Sequence, residues 1–219
     1  MSETVEQIGT RARIIEVAGE LFAAQGFRGT TVRDICSQAG VNVAAVNYHF
    51  RDKERLYTEV LQHAHRHCSD RYPIVAAPSE PAEARLRGFV SAFLHRLLDE
   101  GRPAWHGKLM AMEIADPTPA LDSLVEEAIV PMFVTLQGIC RDLLGPEAAQ
   151  EDVEQCAGSI IGQCLHYKHA KPVIVRMGLW RVSGAEDILK LVEHIVAFSL
   201  GGVAQIRERR TVEERITRA

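Results

Sequence analysis

The sequence predicts an all-α chain, and three observations carry that prediction. Apolar residues recur at intervals of three and four, as in Ile14, Val17, Ala18, Leu21 and Phe22. No stretch alternates apolar and polar residues as a half-buried strand would. Prolines and glycines fall between the periodic stretches, above all in PIVAAPSEP at 73–81, where they break any helix. The 219 residues, 47% of them hydrophobic, suffice for a small domain beside a larger one.

Residues 1–9 are polar, so the first helix is expected from Thr10 to Gln25, with Gly26 ending it. Thr30 and Thr31 offer an N-cap to a short helix through Ala39. Gly40 suits the left-handed residue that stops it. Asn42 caps a second short helix, Val43 to His49, and Asp52 caps a third. Helix, glycine-containing turn, helix is the helix-turn-helix signature. The third helix, 52–72, carries Leu56, Val60, Leu61 and Ala64 on one face and would connect a head to a body. Five more helices are expected over 80–98, 103–115, 120–144, 150–171 and 185–207, with Pro131 kinking the third of them. The charged tail from Arg209 is expected to fray. The expected domains are therefore 1–56, with the connector 52–72, and 73–219.

The second short helix has an unusual composition. Val43, Ala44 and Ala45 are small, which lets another surface approach closely. Asn47, Tyr48 and His49 all hydrogen-bond, as a helix lying in a major groove requires. The competing reading is a three-helix packing unit without a ligand.

The run Gly40-Val-Asn-Val-Ala-Ala-Val-Asn-Tyr-His-Phe-Arg-Asp-Lys-Glu54 resembles the core of the TetR/AcrR repressors. Phe27 to Ile35 resembles the stretch that precedes it in those proteins. Asn-Tyr-His-Phe at 47–50 and Pro-Thr-Pro-Ala-Leu at 117–121 are similar to the CerR-type branch. The resemblance implies a TetR-like fold, an N-terminal helix-turn-helix domain followed by a helical ligand-binding and dimerisation domain. It also implies contacts to a double-stranded DNA operator. By the matched motif these come from Asn42, Ala44, Asn47, Tyr48 and His49 on the reading helix and from Thr30 and Arg33 before it. Lys53 would hold a phosphate. Asn47 departs from the tyrosine of many relatives and has the amide to read adenine.

Charge agrees with a protein that touches DNA at one end. The net charge is −4, yet residues 10–55 carry +2, leaving −6 on the remainder. The five cysteines form no CxxC pair. Cys156 and Cys164 stand about 12 Å apart along one helix, too far to bridge. Reduced thiols and a polar N-terminus without a signal peptide predict a cytoplasmic protein. The longest apolar tract, Ile188 to Ile206, is interrupted by Lys190, Glu193 and His194, so it reads as a buried helix and no membrane is expected.

Helices 150–171 and 185–207 are apolar on more than one face, which predicts a homodimer through them, with Val196 among the partner-facing candidates. Trp105, His106, Met110, Glu113, Met132, Phe133, Gln137, Gln163 and Tyr167 mix aromatic, Met and polar groups, as an apolar pocket for a small effector does. Ordinary core is the plainer account of the same residues. His63, His65, His67 and Cys68 lack the acidic or CxxC ligands of a metal site, so neither metal nor cofactor is expected. No catalytic motif is present, and no enzyme activity is expected. Together these features predict a repressor that a small apolar effector releases. The rival is a helical ligand-binding or interaction protein whose helix-turn-helix no longer reads DNA.

Overall fold

The computed structural model describes residues 2–75, 77–98, 104–179, 182 and 184–217, with side chains described from residue 9 to 209. Among the described residues there are eleven α-helices, one π-helical turn and no strand. The helices are α1 Ser2–Gly29, α2 Val32–Ala39, α3 Val43–Phe50, α4 Lys53–Arg71, α5 Ala82–Leu98, α6 Ala104–Ala115, α7 Ala120–Leu124, α8 Val130–Leu144, α9 Gln150–His169, α10 Lys171–Arg176 and α11 Ala185–Thr217. Both terminal helices run further than their sequence period suggested, α1 back to Ser2 and α11 on to Thr217. Gly26 was expected to end α1. Instead it bends the helix, at φ 76° and ψ 168°, and one more turn follows.

The chain divides into two compact units. The head unit joins Met1–Asp70 to Glu100–Ile129, and the body unit joins Arg71–Asp99 to Val130–Ala219. This differs from a boundary at residue 73, which gave everything beyond it to the body. The period of α6 marks an apolar face but not its partner, and that partner is α1.

The head core gathers Ile14, Ala18, Phe22, Ile35, Val46, Phe50, Leu56 and Leu61 from α1–α4 with Trp105, Leu109 and Ala120 from α6 and α7. The body core gathers Phe89, Val90 and Leu94 of α5, Leu136 and Ile139 of α8, Ile160 and Cys164 of α9, and Leu191, Val192, Ile195 and Val196 of α11. Val196 is 1% exposed and belongs to this core, so it does not face outward as expected. The outward positions of α11 include Leu189, His194 and Phe198 instead.

The break expected near Pro131 takes a specific form. Residues Val125–Ile129 make a π-helical turn between α7 and α8. Proline lacks an N–H and its ring crowds the carbonyl of an ordinary helical turn, and a wider turn before it relieves both. Ala120–Leu144, the one stretch among the described residues with the length and apolarity to cross a membrane, is interrupted by this turn. Its Leu124, Leu136, Ile139, Cys140 and Leu144 side chains are buried in the protein.

Candidate nucleic-acid interface

Local capping builds the reading helix. Thr31 and Asp34 form a reciprocal capping box on α2, the Asp34 amide donating to Thr31 Oγ1 at 3.2 Å and the Thr31 amide to Asp34 Oδ2 at 3.1 Å. The Thr31 hydroxyl, donating to Asp34 Oδ2 at 2.6 Å, and after it the Thr31 amide hold the Asp34 carboxyl below its ordinary value of 3.8. Gly40, at φ 64°, closes α2 in the left-handed conformation. Asn42 Oδ1 accepts from the Ala45 amide at 2.9 Å and starts α3. Val46 and Phe50 anchor α3 in the head core, so the opposite face is turned outward.

That outward face carries Val43, Ala44, Asn47 and Tyr48, all exposed, with Tyr48 at 73%. His49 is half-buried, its ring 5.1 Å from that of Tyr48 and 6.0 Å from that of Phe50. Arg33 is exposed on α2. Five of the sequence candidates, Arg33, Asn42, Ala44, Asn47 and Tyr48, thus lie exposed on α2 and α3 or at the α3 cap. Asn42 already caps the helix with its side-chain oxygen.

Two candidates have other work. Thr30 is 0% exposed and its hydroxyl donates to the Gly26 carbonyl at 2.9 Å. Its hydroxyl thus ties down the bend in α1. Lys53 lies half-buried across the same corner. Its ammonium donates to the carbonyls of Phe27 at 3.0 Å and Thr30 at 3.1 Å and sits 4.3 Å above the Phe27 ring. Two of its three protons serve the end of α1 rather than a ligand.

Arg51 was missed by sequence reasoning. It follows α3 at φ 70° and ψ −53°, and the Asp52 amide reaches back to the Phe50 carbonyl at 2.9 Å. This is a γ-turn of the rare, strained hand, and it leaves Arg51 exposed at the end of the reading helix. No residue type in the sequence marks such a turn.

The nine expected pocket residues are divided between the units. Trp105, His106, Met110 and Glu113 lie in the head unit, not in the body to which the sequence assigned them. Trp105 stacks beside His63 and packs on α1, while Met110 borders the head core. Glu113 is fully buried and accepts from the Tyr57 hydroxyl at 2.8 Å. In the body, Met132, Phe133 and Gln137 are half-buried on α8. Gln163 and Tyr167 border an open groove of 410 Å³ between α9 and α11, with Gly162, His166, His194 and Phe198. Gln163 Nε2 donates across it to Ser199 Oγ at 3.1 Å.

All five cysteines are free, and four are buried. Burial pushes the Cys140 and Cys164 thiols up to about 12, which makes them poor nucleophiles. Among the described residues no group of His, Cys, Asp and Glu side chains is arranged to hold a metal ion.

Comparison with known proteins agrees with this arrangement in both units. A family model described as "Bacterial regulatory proteins, tetR family" matches residues 14–60. Another, described as "HTH-type transcriptional dual regulator CecR, C-terminal domain", matches residues 82–203. The CecR regulator of Shigella flexneri is 25% identical over 81% of this chain and 83% of its own. The repressor KstR2 of Rhodococcus jostii (strain RHA1) is 32% identical, but over only 41% of this chain and 44% of its own length. A transcriptional regulator from Pseudomonas aeruginosa PAO1 has a similar solved structure, with a TM-score of 0.65 and 25% identity over 91% of this chain and 92% of that one. A Clostridium perfringens fatty acid metabolism regulator superposes with a TM-score of 0.64 over 87% and 97%, at 17% identity.

Proposed function

Because this chain belongs to the TetR family of bacterial transcriptional regulators, with a C-terminal domain of the CecR kind, we propose that it is a homodimeric, effector-released repressor working in the cytoplasm. The observation that carries this reading is α3: a capped helix, locked by Val46 and Phe50, that turns small and hydrogen-bonding side chains outward. Asn47 reads a base edge, Tyr48 and Arg33 bind phosphate or sugar, and Ala44 allows close approach to the groove. Arg51 joins them as a phosphate contact, and Lys53 acts by fixing the corner beneath them.

Two copies pair through α9 and α11. The support is the outward face of these helices, where Gly158, Gly162, Gly201 and Gly202 are exposed and Phe198 is 67% exposed. A large apolar side chain beside an open groove on the same helix pair suits a self-complementary, twofold contact. The two reading helices then enter successive major grooves of a near-palindrome, ~34–36 Å apart. The effector is small and largely apolar, and in the body Met132, Phe133 and Gln137 are its candidate contacts. KstR2 is named a repressor and CecR a dual regulator, so repression is the proposed sign.

The test uses a duplex selected by the full-length protein from a random-sequence pool. A shifted complex with two protein copies, and a footprint of two half-sites one turn apart, are expected. No enrichment of any sequence over scrambled DNA at low salt would favour the rival, a helical binding protein that does not read DNA.

A further inference from the structure

The body unit presents a helix face that its own chain does not use. On α9, Glu151, Gly158, Gly162 and His169 are all exposed. Their spacings are seven, four and seven residues. At about 3.6 residues per turn the span from Glu151 to His169 makes five full turns, so the four share one narrow stripe. The glycines are costly there, since glycine inside a helix is less stable than alanine. A β-carbon at either would meet nothing within 4 Å, so no neighbour in the same chain requires the bare backbone. Bare backbone on an outward face lets a second helix approach closely.

Charge tells which helix that is. α9 starts acidic, with Glu151, Asp152 and Glu154, and ends basic, with His166, Lys168 and His169. Glu151 accepts from the neutral Gln155 amide at 2.9 Å. Among the described residues neither Glu151 nor His169 is in an ion pair. The stripe has the same spacing from either end, as a surface that meets itself across a twofold axis requires. Turned end for end about residue 160, a second α9 sets the partner's His169 against Glu151 and the partner's Gly162 against Gly158, and both contacts recur on the other side of the axis. A parallel second α9 would set glutamate on glutamate. Gly162 also lines the open groove that Phe198 borders, so the stripe is continuous with the face of α9 and α11 proposed to pair.

We infer that two copies cross α9 on α9 in antiparallel sense about residue 160, with Glu151 of each copy facing the partner's His169. This rests on the dimeric reading above and gives it a register. The helix dipole favours the same charges at the two ends of any lone helix, so the loss from a single substitution does not separate the two accounts. A coupling between the two ends does. Glu151 and His169 of one copy stand about 27 Å apart along the axis, beyond the ~10 Å over which charges act in ~0.1 M salt, so a coupling between them passes from copy to copy.

The test measures dimer dissociation of the full-length protein by sedimentation at pH 7. His169→Glu sets glutamate against glutamate and should raise the dimer Kd about fivefold, because the twofold axis makes each contact twice. Glu151→Lys sets lysine against histidine and should raise it about twofold. The chain with both changes sets lysine against glutamate and should return to within about twofold of the unmodified protein. Effects that multiply instead, to about tenfold in the double variant, overturn the register. Gly158→Leu reads the crossing without touching charge: a Kd raised about tenfold or more at unchanged helix content is expected, and an unchanged Kd overturns the inference. If the unmodified protein sediments as a monomer, the dimeric reading itself fails. A stable dimer whose charge variants multiply sinks the register alone.

Discussion

The indole of Trp105 lies against the bare Cα of Gly19, so close that a methyl group added at Gly19 would fall 2.5 Å from the ring. Trp105 is 7% exposed, with His63 and His106 against it, so the ring has little room to retreat. Gly19→Ala should therefore destabilise the protein, an overpacking cost of about 1–3 kcal/mol outweighing the ~1 kcal/mol that alanine returns to a helix. Urea unfolding measures it. Trp105→Phe in the same chain should recover part of the loss, and simple additivity of the two changes would contradict the contact.

Lys53→Met separates two roles. If the ammonium holds the Phe27 and Thr30 carbonyls, removing it lowers stability in the absence of DNA by about 1.5–3 kcal/mol, because charged hydrogen bonds are lost. A side chain that only met phosphate would leave the urea midpoint where it was.

On the reading helix, Tyr48→Phe should weaken binding by a similar factor on every duplex, since backbone contacts carry no sequence information. Asn47→Ala should relax preference at one base pair, at about 1–3 kcal/mol on the selected site. Binding to a set of single-base variants distinguishes the two patterns.

Phe198→Glu and Val196→Glu stand two residues apart and should behave differently. Glutamate at the exposed position 198 should split the dimer, at about 2 kcal/mol or more, and leave a helical monomer in sedimentation. Glutamate at the buried position 196 should unfold the body, at about 3 kcal/mol or more, and circular dichroism would register the lost helix. A dimer that survives Phe198→Glu unchanged removes α9 and α11 as the interface.

Burial, first, and then the Glu113 hydrogen bond raise the Tyr57 hydroxyl well above its ordinary value of 10.0. The unfolded chain releases that proton near pH 10 while the folded chain keeps it. The stabilisation is thus fully present below pH 10 and is lost as pH rises toward the folded value, by up to about 1.4 kcal/mol per pH unit. Unfolding midpoints between pH 8 and 11 should fall more steeply for the unmodified protein than for Tyr57→Phe.

What the sequence disclosed follows the reach of each signal. Thr31, Gly40, Asn42 and Asp52 act within four residues of themselves, and each lies where its chemistry predicted. Pro131 announced a break but not its π-helical form, because a proline disrupts a helix without naming the turn that replaces it. Trp105, His106, Met110 and Glu113 look like pocket residues to any composition rule. Their true neighbours, Gly19, His63 and Tyr57, are 42 to 86 residues away in the chain, and periodicity carries no information on that pairing. Thr30 and Lys53 matched a family motif by position, whereas their partners are backbone carbonyls, which leave no mark in sequence.

The return of α6 to α1 also sets an order of events on the ribosome. Ile14 through Ala64 supply most of the head core, yet Trp105, Leu109 and Ala120 complete it. About 55 further residues must be synthesised after Ala64 before the last of these exists, which takes about 3–11 s at ~5–20 residues per second. Through that interval the nascent helix-turn-helix carries an open apolar seam along α1, where Gly19 waits for its tryptophan. A nascent chain stalled at residue 72 should therefore engage holdase chaperones that a chain stalled well past α7 has shed.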